Sequence, residues 1–235
     1  SRLSLAASLS TYGTVSIDPV AEVYGMPYDR SVRDGKSYTD KAPGLSLAGA
    51  PVAWSLGALL PRHGSSPLPR YWPLRHLLIL LLVALPAALF PFLALQGFSG
   101  LAADKRAPFA VLFALCTPVL TYSVVLLSHV PAGLLATLAF LLLIQPGRDN
   151  PVPSPRVAGL GGLALAAAVS TEYPTALFGL VLLPTMLLRR VPARTLAVCA
   201  AGFAIGLLPC LIYHQLAFGS PLSTGYAFKG DPFHF

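Results

Sequence analysis

Asp34-Gly-Lys-Ser-Tyr-Thr-Asp-Lys-Ala-Pro-Gly-Leu-Ser46 is the stretch at which this chain changes character. Of nine acidic residues, five lie between Asp18 and Asp40, and after Lys41 the sequence is mostly hydrocarbon broken by short basic loops. Charges gathered just ahead of long apolar runs belong at a membrane surface, facing a polar substrate. The stretch therefore reads as the rim of an active site.

Composition points to the same class. The chain is 55% hydrophobic and only 11% charged, against roughly 25% charged in an ordinary soluble domain, and its mean hydropathy is +0.69. An all-α integral membrane protein is expected. The net charge of +7 does not indicate a nucleic-acid partner, because the Lys and Arg are scattered between apolar runs instead of clustering with aromatic residues. Orientation of helices in a bilayer accounts for them better. Cys116, Cys199 and Cys210 all fall inside apolar runs without a Cys-x-x-Cys and read as buried thiols. The chain opens at Ser1 without Met and closes at Phe235 in a polar loop, so a piece of a longer membrane protein is expected.

Outward from the rim, three regions are expected: an external first loop with juxtamembrane helices over 1–75, a six-span bundle over 76–213, and the start of a further external loop over 214–235. Residues 1–41 hold five basic and five acidic side chains, with a short helix around Ser4–Leu9 that Tyr12-Gly13 ends. Residues 43–60 are apolar but short, and they contain Pro43, Gly44, Gly49, Pro51, Trp54 and Gly57. Residues 61–75, with Arg62, His63, Arg70, Tyr71, Trp72 and Arg75, form a basic, aromatic, Pro-rich connection. Apolar runs follow at 76–97, 107–127, 130–145, 157–169, 174–188 and 195–213.

Loop charge orients these runs. The loops at 98–106, 146–156 and 189–194 carry Lys105, Arg106, Arg148, Arg156, Arg189, Arg190 and Arg194, whereas the turns at Ser128-His129 and 170–174 carry no Lys or Arg. The basic loops are thus expected in the cytoplasm and the two turns outside. That parity makes 43–60 a surface-lying helix and leaves Arg62, Arg70 and Arg75 outside, against the rule. The hairpin over 157–188 is short for two spans, so its turn at Glu172 should sit slightly sunk.

An ionisable group at membrane depth costs ~2.5–3.5 kcal/mol on insertion scales, so by default it marks a site or is paired. Glu172 and His129 are the two such groups in the outer turns. The plain alternatives are a helix end in headgroup water for His129 and helix capping near Ser170 and Thr171 for Glu172. In the rim, Glu22, Asp29 and Asp34 read as solvated loop charge. Asp18 differs, standing alone after an apolar pair in Val15-Ser-Ile-Asp-Pro19. Asp40-Lys41 also differs, since it directly precedes the helix start at Pro43-Gly44, where free amides favour anions.

At these residues the chain resembles the bacterial lipid-linked-sugar glycosyltransferases of the GT-C fold, related to protein O-mannosyltransferases and aminoarabinose transferases. The resemblance is carried by Tyr12-Gly-Thr-Val-Ser-Ile-Asp18, Asp34-Gly-Lys-Ser-Tyr-Thr-Asp-Lys-Ala-Pro-Gly-Leu-Ser46, Thr117-Pro-Val-Leu-Thr-Tyr-Ser123 with Ser128-His129, and Phe218-Gly-Ser-Pro-Leu-Ser-Thr-Gly-Tyr226. It implies a GT-C-like multi-span bundle in a bacterial inner membrane, with the active site outside. Asp18 matches the family's catalytic carboxylate, and Asp40-Lys41-Ala42-Pro43-Gly44 matches its Lys-Pro-Pro-Gly element, departing at Ala42. Asp40, Lys41, His129, Glu172 and Tyr226 are the residues expected to bind substrate. The implied partners are a polyprenyl-phosphate sugar donor and a lipid, glycan or protein acceptor. A divalent metal is the one cofactor that the chemistry leaves room for. The competing class is a transporter or channel subunit with Glu172 and His129 as relay groups, but such groups gather near the bilayer midplane, and here the acids lie in an external loop.

Overall fold

A computed structural model describes residues 1–97, 102–145 and 152–229. Arg148, assigned above to a cytoplasmic loop, lies outside the described residues. The chain is mostly helical and divides into two compact units, Ser1–Leu82 with Pro209–Phe235, and Val83–Leu208.

The first unit begins with α1 (Arg2–Tyr12), which Gly13 ends in the left-handed conformation at φ 65°, its N–H bonding the Leu9 carbonyl. Helix α2 (Asp18–Tyr24) follows, with Pro19 in its first turn, where a missing N–H costs nothing. The expectation of an all-α chain then fails locally. Strands β1 (Arg30–Arg33) and β2 (Lys36–Thr39) form an antiparallel hairpin in the register Arg30↔Thr39 to Arg33↔Lys36. Asp34 and Gly35 have φ of 50° and 72°, the tight two-residue turn that matches strand twist. The segment before α2 runs along the second strand, with Ile17 N–H donating to Ser37 O at 2.9 Å.

Helix α3 (Gly44–Gly57) has 14 residues, about 21 Å at 1.5 Å per residue, which falls short of a roughly 30 Å hydrocarbon core. It packs on α1 at Gly49, where an added Cβ would lie 3.3 Å from that of Ala6. Ser46 Oγ donates to the Arg2 carbonyl at 3.0 Å. Next comes α4 (Tyr71–Ile79), which runs through a π turn at Leu80–Ala84 into α5 (Leu85–Gly97). The wide turn lies just before Pro86, whose ring displaces the carbonyl four residues back and removes one hydrogen bond. The end of α11 (Ala193–Phe218) and a 3₁₀ turn at Gly225–Phe228 complete this unit. Leu5, Ile17, Tyr38, Tyr213, Ala217 and Phe218 are its buried cluster, with the Phe228 ring stacked on Phe218 at 5.2 Å.

In the second unit, the apolar run 107–127 is two helices, α6 (Ala103–Cys116) and α7 (Pro118–Ser123). Thr117 is extended between them, as the residue before a proline is forced to be, and its Oγ donates to Phe113 O at 2.7 Å. Helices α8 (His129–Ile144), α9 (Pro155–Thr171) and α10 (Ala176–Leu188) pack around Ala139, Leu143, Ala158, Leu165, Leu182 and Met186. The α9 and α11 backbones touch where both present glycine. A Cβ at Gly162 would lie 2.1 Å from Cys199 O, and one at Gly202 would lie 2.2 Å from Gly159 O.

Among the described residues two helices are long and apolar enough to cross a membrane, Tyr71–Leu93 with 23 residues and Ala193–Phe218 with 26. Only 28% and 17% of their apolar windows are buried, unlike the core helix of a soluble protein. The other apolar helices among the described residues are shorter; His129–Ile144, for instance, has 16 residues.

Candidate functional site

Strand β2 organises the polar groups of the first unit. At its start, Ser37 N–H donates to both carboxylate oxygens of Asp18, at 3.2 and 3.0 Å, and Ser16 Oγ donates to the same group at 2.7 Å. Partial burial pushes the Asp18 pKa up, but these donors and the Arg30 guanidinium outweigh it and hold the carboxyl below its ordinary range. Asp18 is therefore an anion at neutral pH, partly exposed and rigidly held.

Just past the end of the strand lies Asp40, whose side chain is fully buried. Its Oδ2 is 3.2 Å from Lys41 Nζ and 3.5 Å from Lys229 Nζ, and these lysines are partly exposed. Its Oδ1 has no hydrogen-bond partner among the described residues. Lys41 Nζ stands 6.0 Å from the ring centroid of Tyr226, within the range of a cation–π contact. Asp29 also lies within electrostatic reach of Lys41. The anion-at-a-helix-start idea for Asp40 is not what forms: α3 begins at Gly44 without a side-chain cap, and the lysines take the carboxylate instead.

Lys229 reaches Asp40 because the loop after α11 docks on the hairpin. Ser31 Oγ donates to Gly225 O at 2.5 Å, Tyr213 OH donates to Thr39 O at 3.3 Å, and Arg33 lies over the Phe228 ring. Gly225 makes the approach, since a Cβ there would be 2.6 Å from Asp40 Cα. Lys229, Ser16 and Ser37 are absent from the residues that sequence reasoning selected. Ser16, two residues before Asp18, carried a local signal; Lys229 carried none.

His129 and Glu172 lie in the second unit and meet there. Glu172 Oε2 accepts from Ser128 Oγ and is 3.6 Å from His129 Nδ1. Ser128 and His129 open α8 and Glu172 closes α9, so the two turns without Lys or Arg are joined at one end of that helix pair. The structure thus groups Asp40, Lys41 and Tyr226, fixes Asp18 at the other end of β2, and pairs His129 with Glu172.

Among the described residues no three His, Cys, Asp or Glu side chains come together, and the neighbours of Asp40 Oδ2 are ammoniums that repel a cation.

Fold and site define a predominantly helical chain that carries a polar hairpin beside helices able to cross a membrane. No protein-family model, curated protein or solved structure matches it.

Proposed function

We propose that this chain belongs to a multi-pass membrane glycosyltransferase that moves a sugar from a polyprenyl-phosphate carrier to an acceptor on the outer face of a bacterial inner membrane. The observation that carries the reading is the division of labour along β2: a held carboxylate at its start and two lysines on a buried carboxylate just past its end. Three residues of strand at about 3.3 Å each separate Ser37 from Asp40, or roughly 10 Å.

Asp18 takes the proton from the acceptor hydroxyl as its oxygen bonds the anomeric carbon. The bond from that carbon to the carrier phosphate breaks, and the phosphate leaves with the electron pair. Lys41 and Lys229 stabilise the charge that builds on it, as preorganised cations do. Asp40 holds both ammoniums in place, and the Tyr226 ring borders the same cations. Glu172 and His129 pair in the second unit, where two turns meet, and substrate binding is the role proposed for them there. The competing relay role in a transporter is less well supported, because both residues stand at helix ends and not at mid-span, where such relays gather.

The test is transfer of labelled sugar from a polyprenyl-phosphate sugar by the chain in liposomes, with Lys229→Ala alongside. Transfer that falls about tenfold or more in Lys229→Ala supports the reading. Solute flux across the liposome membrane without any sugar transfer overturns it.

A further inference from the structure

The basic, aromatic connection at 61–75 has no task in the proposed reaction, and loop charge leaves its arginines on the outer side against the orientation rule. The structure gives them other surroundings. In the first unit a cleft of about 820 Å³ is lined by Tyr24, Met26, His63, Arg70, Tyr71 and Trp72. Tyr24 packs edge-on against Tyr71 at 5.4 Å and His63 at 6.4 Å, and its hydroxyl donates to the Pro69 carbonyl. The aromatic wall is thereby fixed to the backbone of the connection. No Asp or Glu is among the lining residues, and among the described residues the Arg70 guanidinium has no carboxylate partner. Arg75 lies over the Trp72 ring at 5.5 Å, adding a second cation beside the cleft.

Tyr71 and Trp72 are the first two residues of the apolar helix Tyr71–Leu93. If that helix crosses a membrane, they stand at the depth where Trp and Tyr concentrate, level with lipid headgroups. We infer that the cleft is a binding site for the phosphate headgroup of a bilayer lipid of net negative charge. The Arg70 guanidinium and a His63 ring N–H hold the phosphate, and the rings of Tyr24, Tyr71 and Trp72 cover the glycerol and the first methylenes. The aromatic wall and the start of an apolar helix favour a lipid over a soluble anion, which would use the cation alone. Arg70 is thus a ligand group and not an orientation signal. The inference rests on the membrane-crossing part of the reading and not on the transfer reaction.

The test uses the full chain with Trp54→Phe, which leaves Trp72 as its single tryptophan. Its fluorescence is measured in phosphatidylcholine vesicles containing phosphatidylglycerol, with bromine on the acyl chains of one lipid or the other at equal bromine content. Quenching of Trp72 should be several-fold stronger when the anionic lipid carries the bromine. Arg70→Gln with His63→Gln should abolish the preference, Arg70→Lys should keep most of it, and added inorganic phosphate should not compete. Equal quenching by the two lipids, a preference that survives the double substitution, or one that inorganic phosphate removes would overturn the site. No quenching by either lipid would sink the membrane reading beneath it. A lipid preference in a protein that transfers no sugar would support this site while telling against the transferase.

Discussion

Asp18→Asn separates a base from an anchor. The carboxylate accepts from Ser16 Oγ at 2.7 Å and from Ser37 N–H at 3.0 and 3.2 Å. A carboxylate has about four lone-pair sites, so one remains for a substrate proton. Asparagine keeps a carbonyl oxygen for Ser37, and its amide can donate to the Ser16 hydroxyl, so the loop stays tied. What goes is the charge. A bond to an ionised acceptor is worth about 1.5–3 kcal/mol and a neutral one about 0.5–1.5. Stability should thus fall by about 1 kcal/mol, and by less to the extent that solvent screens this partly exposed group.

Removing the base should lower turnover by ~10²–10⁴-fold, a barrier increase of about 2.7–5.5 kcal/mol. The two effects differ enough to be measured apart, by sugar transfer and thermal unfolding on the same detergent-purified protein. Turnover within a few-fold of wild type, with a lowered unfolding temperature, would make Asp18 an anchor and refute its role as base. Its pH dependence carries a defined sign. The folded pKa is held below the unfolded value of about 3.9, so its stabilisation is fully present above that value and is lost as pH falls through the folded pKa. The stability gap between wild type and Asp18→Asn should therefore be flat from pH 5 to 8 and close only on stronger acidification.

Gly162→Ala should destabilise the second unit by about 1–3 kcal/mol, because its Cβ would meet the Cys199 carbonyl at 2.1 Å. Gly179→Ala, whose Cβ finds only Leu165 at 3.8 Å, should be neutral or stabilising by up to about 1 kcal/mol; equal unfolding temperatures for the two variants would contradict this helix crossing. Asp40→Ala leaves two lysines without their shared counter-charge and should cost about 1–3 kcal/mol. Their partial exposure keeps the loss toward the lower end, and a melting curve unchanged from wild type would show that the lysines do not depend on Asp40. For topology, an impermeant thiol reagent should label Pro174→Cys from outside and Arg190→Cys only after permeabilisation, in each case with the native cysteines removed.

Much of the helical framework was legible because it is local. Apolar runs bounded by Gly13 and the basic loops became helices, since propensity and the backbone limits of glycine act within a few residues; the run 107–127, expected as one span, breaks at Thr117-Pro118. Asp34-Gly35 was also a local hairpin signal, in a stretch expected to be solvated external loop. What tertiary structure alone decided are the pairings between distant loops. Lys229 comes to Asp40 because Phe218, Phe228 and Tyr38 share one buried cluster and Gly225 admits close backbone approach. Glu172 meets Ser128 and His129 because α8 and α9 pack side by side, which brings the start of one helix to the end of the other. Hydrophobic period determines which face of an element is buried; which loops then meet depends on how those faces pack, and no short window of sequence contains that.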